Sequence, residues 1–282
     1  MRSPLASQPP VSSFTRMDYP GYETLSIETD GGVVHCTLNR PDSLNAMNPA
    51  LVDEFRDFLD RTAAEPSARV VVLKGAGRSF CAGLDLKEST GVEGGVPAGL
   101  RVQRRIAEIA IKMRRAPQVF VSCIHGAACG GGFMMALASD IRLAGKSARM
   151  NAAFIKLGLS GCDVGVSYLL PRLVGASVAA ELILTGRFID AERARELGLV
   201  STVVEDAELD STAAEIVADL MRTSPLGLRL SKECLNNSLD AGCIEAAVAM
   251  EDRNQILCTQ TDDFREGIRA FLEKRDPEFK DA

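Results

Sequence analysis

The chain reads as an α/β protein with a mostly parallel core and a helical tail. Three observations predict this. Short, continuously apolar strands recur at Arg69–Leu73, Val119–Ile124 and Ile141–Leu143, as expected of strands buried on both faces. Strand, loop and then helical pattern alternate several times. Beyond about residue 165 strand signals nearly vanish and helical periodicity takes over. The expected organisation is a disordered extension over 1–20, an α/β core over 21–205 and a helical region over 206–282.

The first sixteen residues contain three prolines, four serines, two arginines and no acid. That composition suits a mitochondrial transit peptide, but Pro4, Pro9 and Pro10 would break its amphipathic helix. A disordered extension of a cytoplasmic protein is the favoured reading, and Met17 could be the true start. Thr24–Thr29 and Val33–Asn39 flank Asp30-Gly31-Gly32, a β-hairpin signal. Asn48-Pro49 opens a helix, with Asn48 as N-cap and Leu51, Phe55, Phe58 and Leu59 along one face. The strand at Arg69–Leu73 leads into a glycine-rich loop, Gly75–Gly83. The segment Thr90–Gly99 reads as a loop that orders on binding, and a helix over Leu100–Arg115 carries Ile106, Ile109 and Met113. Val119–Ile124 then runs through glycines into a helix near Phe133–Ala138, followed by Ile141–Leu143.

Helical periodicity then marks Tyr168–Leu173, Ala176–Leu184, Ala191–Leu197, Leu209–Arg222, Leu226–Asn237, Ile244–Cys258 and Asp262–Lys274. Asp190 reads as an N-cap and Gly198 as a C-cap. A tail of this kind often packs on a partner subunit.

Composition excludes several functions. The 282 residues carry 32 Lys+Arg against 38 Asp+Glu, a net charge of −6 that argues against a nucleic-acid partner. No apolar run approaches the roughly 18–20 residues of a membrane span. Only His35 and His125 are present, so a multi-histidine metal site is impossible. The eight cysteines form no C-x-x-C pair, so neither a zinc nor a redox motif is indicated.

Chemistry concentrates in two glycine-rich turns after buried strands. One is Arg78-Ser79-Phe80-Cys81-Ala82-Gly83-Leu84-Asp85-Leu86 and the other His125-Gly126-Ala127-Ala128-Cys129-Gly130-Gly131-Gly132-Phe133. Glycines let a ligand approach the backbone, and a helix N-terminus offers free N–H groups to an anion. Neither turn is a Walker A loop or a G-x-G-x-x-G fingerprint, and either alone could serve packing only.

In their order and spacing the two turns resemble those of the crotonase, or enoyl-CoA hydratase/isomerase, family. The resemblance runs from about Tyr22 to Ala282. It includes LNRPDSLNAMN (Leu38–Asn48), SFCAGLDLKE (Ser79–Glu88), HGAACGGGF (His125–Phe133), SDIRLA (Ser139–Ala144), LLPRLVGAS (Leu169–Ser177), LTGRFIDAERARELGLVSTVV (Leu184–Val204) and REGIRAFLEKRDPEF (Arg265–Phe279). The resemblance implies a spiral of ββα units with a helical C-terminal region that trimerises, the trimers often pairing into hexamers. It also implies an acyl-CoA thioester as partner, with coenzyme A part of the substrate and no separate cofactor or metal.

By the same resemblance the backbone N–H groups of Leu84 and Gly131 hold the thioester oxygen. An enolate would then form beside fixed dipoles. Backbone around Ser43, Leu44 and Ala46, and around Ala82, Gly83, Asp85, Leu86 and Lys87, would hold the coenzyme A, with Gly130 adjoining. Phe271 and Lys274 would reach the coenzyme A of a neighbouring subunit; Lys274 equally suits a solvated helix position. Asp85 also reads as structural, and His125 as backbone support.

The sequence departs from the family pattern at the catalytic carboxylates. The hydratases use two glutamates, and the matching positions are Met134 and Phe154. Neither can activate water or deliver a proton. One acid remains in range: Asp163, in Gly161-Cys162-Asp163-Val164-Gly165-Val166-Ser167-Tyr168. It matches the lone acid of some Δ3,Δ2-enoyl-CoA isomerases, an aspartate of dienoyl-CoA isomerases and the nucleophile of 4-chlorobenzoyl-CoA dehalogenases. A lone carboxylate suits moving a proton between C2 and C4. Met134, Phe154, Leu159 and Tyr168 would form the acyl pocket, and walls made of Phe154, Met134, Met135 and Leu159 would raise the Asp163 pKa. Asp163 also reads as a helix N-cap, a role compatible with catalysis. The alternatives are a hydratase in which Asp163 positions water, nucleophilic chemistry on an aryl-CoA, and a CoA-binding paralogue with little activity. The absence of tryptophan counts against the dehalogenase.

Overall fold

The structure is a computed structural model that describes residues 17–88 and 94–281. The extension 1–16 lies outside the described residues. β1 (Leu25–Asp30) and β2 (Val33–Leu38) pair antiparallel. Gly31 and Gly32 between them both take positive φ, 54° and 92°, the geometry whose twist suits a two-residue hairpin. Asn48 caps α1 (Pro49–Ala64) as expected: its Oδ1 accepts the Leu51 N–H at 2.9 Å. Leu51, Phe55, Phe58 and Leu59 are buried on the inner face of α1.

β3 (Val70–Gly75) adds parallel to β2. The helix α2 runs from Gly95 to Arg115, so it starts a turn earlier than Leu100. Of the expected loop Thr90–Gly99, the first residues lie outside the described ones and Gly95–Gly99 is helical. Glycines at 94, 95 and 99 hid that first turn, because glycine is a poor helix former. β4 (Val119–Ile124) is buried along its whole length, as the apolar run demands.

From β4 the chain turns into a second sheet. β5 (Ala127–Cys129) leads into α3 (Gly131–Ala138). β6 (Ile141–Gly145) leads through β7 (Arg149–Asn151) and a 3-10 turn (Ala153–Leu157) to α4 (Val166–Val174). Each unit thus gives one strand to each sheet and then a helix. The unit from β3 to α2 does so in shortened form, with Cys81 bridging to Ala128 as its second-sheet pairing among the described residues. This is the spiral of ββα units.

α5 (Ala176–Thr185), β8 (Ile189–Asp190), α6 (Ala191–Glu196) and β9 (Thr202–Val204) complete the core. The large sheet has the order β1-β2-β3-β4-β6-β9, parallel from β2 onward, and the small one β5-β7-β8. Strands therefore do not end near residue 165: β9 is an edge of the large sheet. Asp190 caps α6 through the Arg193 N–H at 2.9 Å. Gly198 takes φ 73° just past its end.

Alternation along the strands divides the core. Val71 and Leu73 face the main apolar cluster with α1, α3 and α4. Val70 and Val72 face a smaller one, covered by Leu209 and Ala213 of α7 (Leu209–Met221). The helical region thus begins as a layer of the core. α8 (Pro225–Ser238) is pinned to it by Lys232, whose buried ammonium reaches Asp140 Oδ2 at 2.8 Å, Gln118 O at 2.6 Å and Met113 O at 3.0 Å.

α9 (Ile244–Thr259) packs on α8, and α10 (Asp262–Glu273) on α9. These helices leave Ile244, Ile256, Ile268, Phe271 and Leu272 exposed. No helix among the described residues is long and apolar enough to cross a membrane.

Candidate active site

The two glycine-rich turns are laced together by their backbones. Phe80 N–H donates to His125 O (2.8 Å), Cys81 N–H to Ala127 O (2.9 Å) and Cys129 N–H back to Cys81 O (3.0 Å). The contact is so close that side chains are excluded. A Cβ on Gly132 would lie 2.2 Å from Cys81 O, and one on Gly83, which has φ 98°, would lie 2.8 Å from Cys129 O. Only glycine lets the turns meet. His125 supports the backbone as expected, its Nε2–H donating to Gly77 O at 2.9 Å.

The segment before α1 clamps the first turn from the other side. Ala82 N–H donates to Leu44 O (3.0 Å), Met47 N–H to Gly83 O (2.7 Å) and Asp85 N–H to Met47 O (3.0 Å). The two stretches expected to hold coenzyme A, Ser43–Ala46 and Ala82–Lys87, are therefore neighbours in space. Two residues without an assigned role in the sequence build this clamp. The buried Asn45 amide donates to Ala76 O and Ser79 O at 2.9 and 2.8 Å. Arg40 reaches Asp85 Oδ2 at 3.0 Å and Glu88 Oε1 at 2.6 Å.

Burial pushes the Asp85 carboxyl up, but the Arg40 hydrogen bond and the Lys87 and Glu88 amides outweigh it and hold it below the ordinary range. Asp85 is thus committed to holding the loop, while Leu86 and Lys87 stand exposed beside it.

Within this frame the Leu84 and Gly131 amides stand out. Asp85 N–H and Gly130 N–H are satisfied by Met47 O and Asn151 O, each at 3.0 Å. Among the described residues neither Leu84 N–H nor Gly131 N–H donates to a backbone carbonyl. Gly131 is the first residue of α3, where the helix leaves its amides without internal partners. Two free donors on turns fixed to one another can receive an oxygen that gains negative charge.

The positions of the family's glutamates are apolar in space as well as in sequence. Met134 is fully buried in the main core, so it is packed tightly rather than lining an open pocket. Phe154 lies against Gly130: a Cβ there would be 3.4 Å from its ring. It is the clearest wall of the expected acyl pocket. Leu159 is largely exposed, with its N–H on Phe154 O at 3.3 Å.

Asp163 lies in the loop before α4, and α3 packs between α2 and α4. Its Oδ1 accepts the Val164 N–H at 2.7 Å and a hydrogen bond from Gln103 of α2. Burial raises its pKa, while the Val164 amide and Gln103 pull the other way without cancelling that effect. Asp163 is not the N-cap of α4. That position is Gly165, at φ 91° and without a side-chain cap. Val164 between them sits at φ 42°, which costs a β-branched residue of order 1–3 kcal/mol. The helix starts two residues later than an aspartate cap requires, and the carboxylate is turned to Gln103 instead.

One further expectation is not met. Tyr168 is not in the acyl pocket: its hydroxyl bonds Asp240, and Arg172 stacks on its ring at 3.6 Å while reaching Asp240 Oδ1 at 2.7 Å. It lines a cleft of about 1160 Å³ between α2, α4 and α8. Phe271 and Lys274 stand exposed on α10 and at its end, and the chain does not bring them to its own turns. Among the described residues no group of three or more His, Cys, Asp or Glu could hold a metal.

The family model for enoyl-CoA hydratase/isomerase matches residues 28–282. A Mycobacterium leprae protein named "Probable enoyl-CoA hydratase echA12" is 37% identical over 96% of this chain and 92% of its own length. The 1,2-epoxyphenylacetyl-CoA isomerase of Escherichia coli is 35% identical over 91% of this chain and 98% of its own. The crystal structure of an enoyl-CoA hydratase from Bacillus anthracis superposes with a TM-score of 0.88 at 34% identity, covering 92% of this chain and all of that one.

Proposed function

The chain belongs to the enoyl-CoA hydratase/isomerase family of the crotonase superfamily, and on that premise we propose that it shifts a double bond in an unsaturated acyl-CoA. The observation that carries this reading is the half-buried Asp163, a lone carboxylate where both family glutamates are replaced by Met134 and Phe154. The thioester oxygen takes hydrogen bonds from Leu84 N–H and Gly131 N–H. That acidifies the adjoining carbon and holds the enolate once it forms. Asp163 removes the proton from C2, the electron pair moves into the conjugated enolate, and the same carboxyl returns the proton at C4; the reverse path uses the same groups. Nothing is oxidised or added. Burial raises the Asp163 pKa towards the range of a working base.

Ser43–Ala46 and Ala82–Lys87 would hold the coenzyme A. In a homotrimer or a hexamer the exposed Phe271 and Lys274 of a neighbour would complete that grip. The Escherichia coli isomerase is a relative whose name also denotes rearrangement without addition of water.

A second reading is hydration, with Asp163 positioning water, since several relatives are named hydratases. Purified enzyme given 2-enoyl-, 3-enoyl- and 3,5-dienoyl-CoA separates the two. Double-bond migration without 3-hydroxyacyl-CoA is expected. Stoichiometric 3-hydroxyacyl-CoA from the 2-enoyl substrate would replace the proposal with hydration.

A further inference from the structure

We propose that Gln103 of α2 is the positioning residue for the Asp163 carboxylate, holding one oxygen so that the other handles the proton. The inference rests on the isomerase reading above and adds a residue to it. Both hydrogen bonds that Asp163 accepts fall on one oxygen. The Val164 N–H reaches Oδ1 at 2.7 Å, and Gln103 Nε2 donates to the same Oδ1. Among the described residues Oδ2 has no partner. The backbone contact is fixed by the strained turn at Val164 and Gly165, with φ 42° and 91°. The side-chain contact comes from another helix, 60 residues earlier in the sequence.

A carboxylate pinned from two directions cannot rotate freely. A base that takes a proton from one carbon and returns it two atoms along the chain needs one oxygen held over both. Gln103 suits the task because its amide donates without ionising. It favours the charged form of Asp163 and so opposes the upward push of burial.

Among the described residues no charged group competes for this role. On α2, Arg105 pairs with Asp53, Glu108 with Arg56, Lys112 with Asp60 and Arg114 with Asp140. On α4, Tyr168 and Arg172 are engaged by Asp240. Arg101 and Arg104 flank Gln103 in the sequence, and Cys162 precedes Asp163. Among the described residues neither these nor Lys156 of the 3-10 turn contributes to the shift at Asp163, whose causes are burial, the Val164 amide and Gln103.

The test compares full-length wild type with Gln103→Leu, Gln103→Glu and Asp163→Asn. It measures kcat and KM for 3-enoyl-CoA isomerisation from pH 5 to 9. Gln103 is exposed, so the variants fold, and thermal melting and coenzyme A binding confirm it. Gln103→Leu loses the donor: the acid limb of the rate profile moves up by about one pH unit and kcat falls about tenfold, with KM changed less than twofold. Gln103→Glu places a second carboxyl beside the first and moves the limb further in the same direction. A wild-type limb and kcat in both Gln103 variants, with Asp163→Asn inactive, would overturn the assignment of Gln103 alone. Wild-type turnover in Asp163→Asn would overturn both this assignment and the isomerase reading.

Discussion

The two halves of the candidate site are built from different materials. The proposed oxyanion half is backbone: two glycine turns hydrogen-bonded to each other and to the segment before α1, with the Leu84 and Gly131 N–H groups left over among the described residues. The proposed acid–base half is side chain: Asp163 held by Gln103 and a strained turn. A backbone donor keeps its chemistry whatever side chain the residue carries. A side-chain acid disappears with one substitution. A protein can therefore keep carbonyl activation while changing what is done to the activated carbon. On the proposed reading, Met134 and Phe154 mark such a change.

The sharpest break of this contrast is at Asp163. Asp163→Asn should lower isomerase kcat by about 10³-fold, within the range of a lost acid–base group, while coenzyme A binding survives. Stability should move the other way. Asp163 has a raised folded pKa, so its ionised form costs stability as pH rises through that value. Melting of the variant at pH 8 should be no lower than that of the wild type. A large loss of stability instead would make Asp163 a structural residue.

On the backbone side, Gly132→Ala should cost about 10²–10³ in kcat. Its Cβ would meet Cys81 O at 2.2 Å and must push the start of α3 off the first turn, which removes an oxyanion donor. Near-normal kinetics in that variant would show that the packing of the turns does not matter to the reaction.

Asp85→Asn tests the frame rather than the donors. Removing one partner of a largely buried ion pair should cost about 3 kcal/mol of stability by urea unfolding at pH 7. Because the folded pKa of Asp85 is lowered, its contribution is present above the unfolded value of about 3.9 and is lost as pH falls through the folded value. The gap between wild type and variant should narrow below about pH 4.

The smallest effect is expected at the cysteines. Burial pushes the Cys81 thiol up to about 12 and the Cys129 thiol up to about 11. Both should resist iodoacetamide at pH 8, whereas the exposed Cys162 and Cys243 should react. Peptide mapping reads this directly, and fast labelling of Cys81 would mean that the turns open.

Much of this contrast is legible in the sequence, and unevenly so. The two glycine-rich turns, the Asn48 cap and the β4 strand depend on local signals: glycine runs, a cap residue before proline, an unbroken apolar stretch. The three-residue strands β5, β7 and β9 carry no such signal, since strands that short exist only by pairing with others. Asp163 is visible as the one acid in range, but its cap role is not what forms. Val164 takes a left-handed turn that sequence propensity disfavours for a β-branched residue. Gln103 is invisible altogether. It is an exposed polar residue on an amphipathic helix, and only the packing of α2 beside the Asp163 loop gives it a partner.

The central claim is that one carboxylate carries a proton between two carbons of a thioester held by backbone N–H groups. Solvent-deuterium incorporation at C2 and C4 of an unsaturated acyl-CoA, followed by mass spectrometry and NMR, tests it most directly. The account predicts label at both carbons with wild type and at neither with Asp163→Asn, under conditions where both proteins bind coenzyme A. Incorporation by Asp163→Asn at the wild-type rate would contradict it.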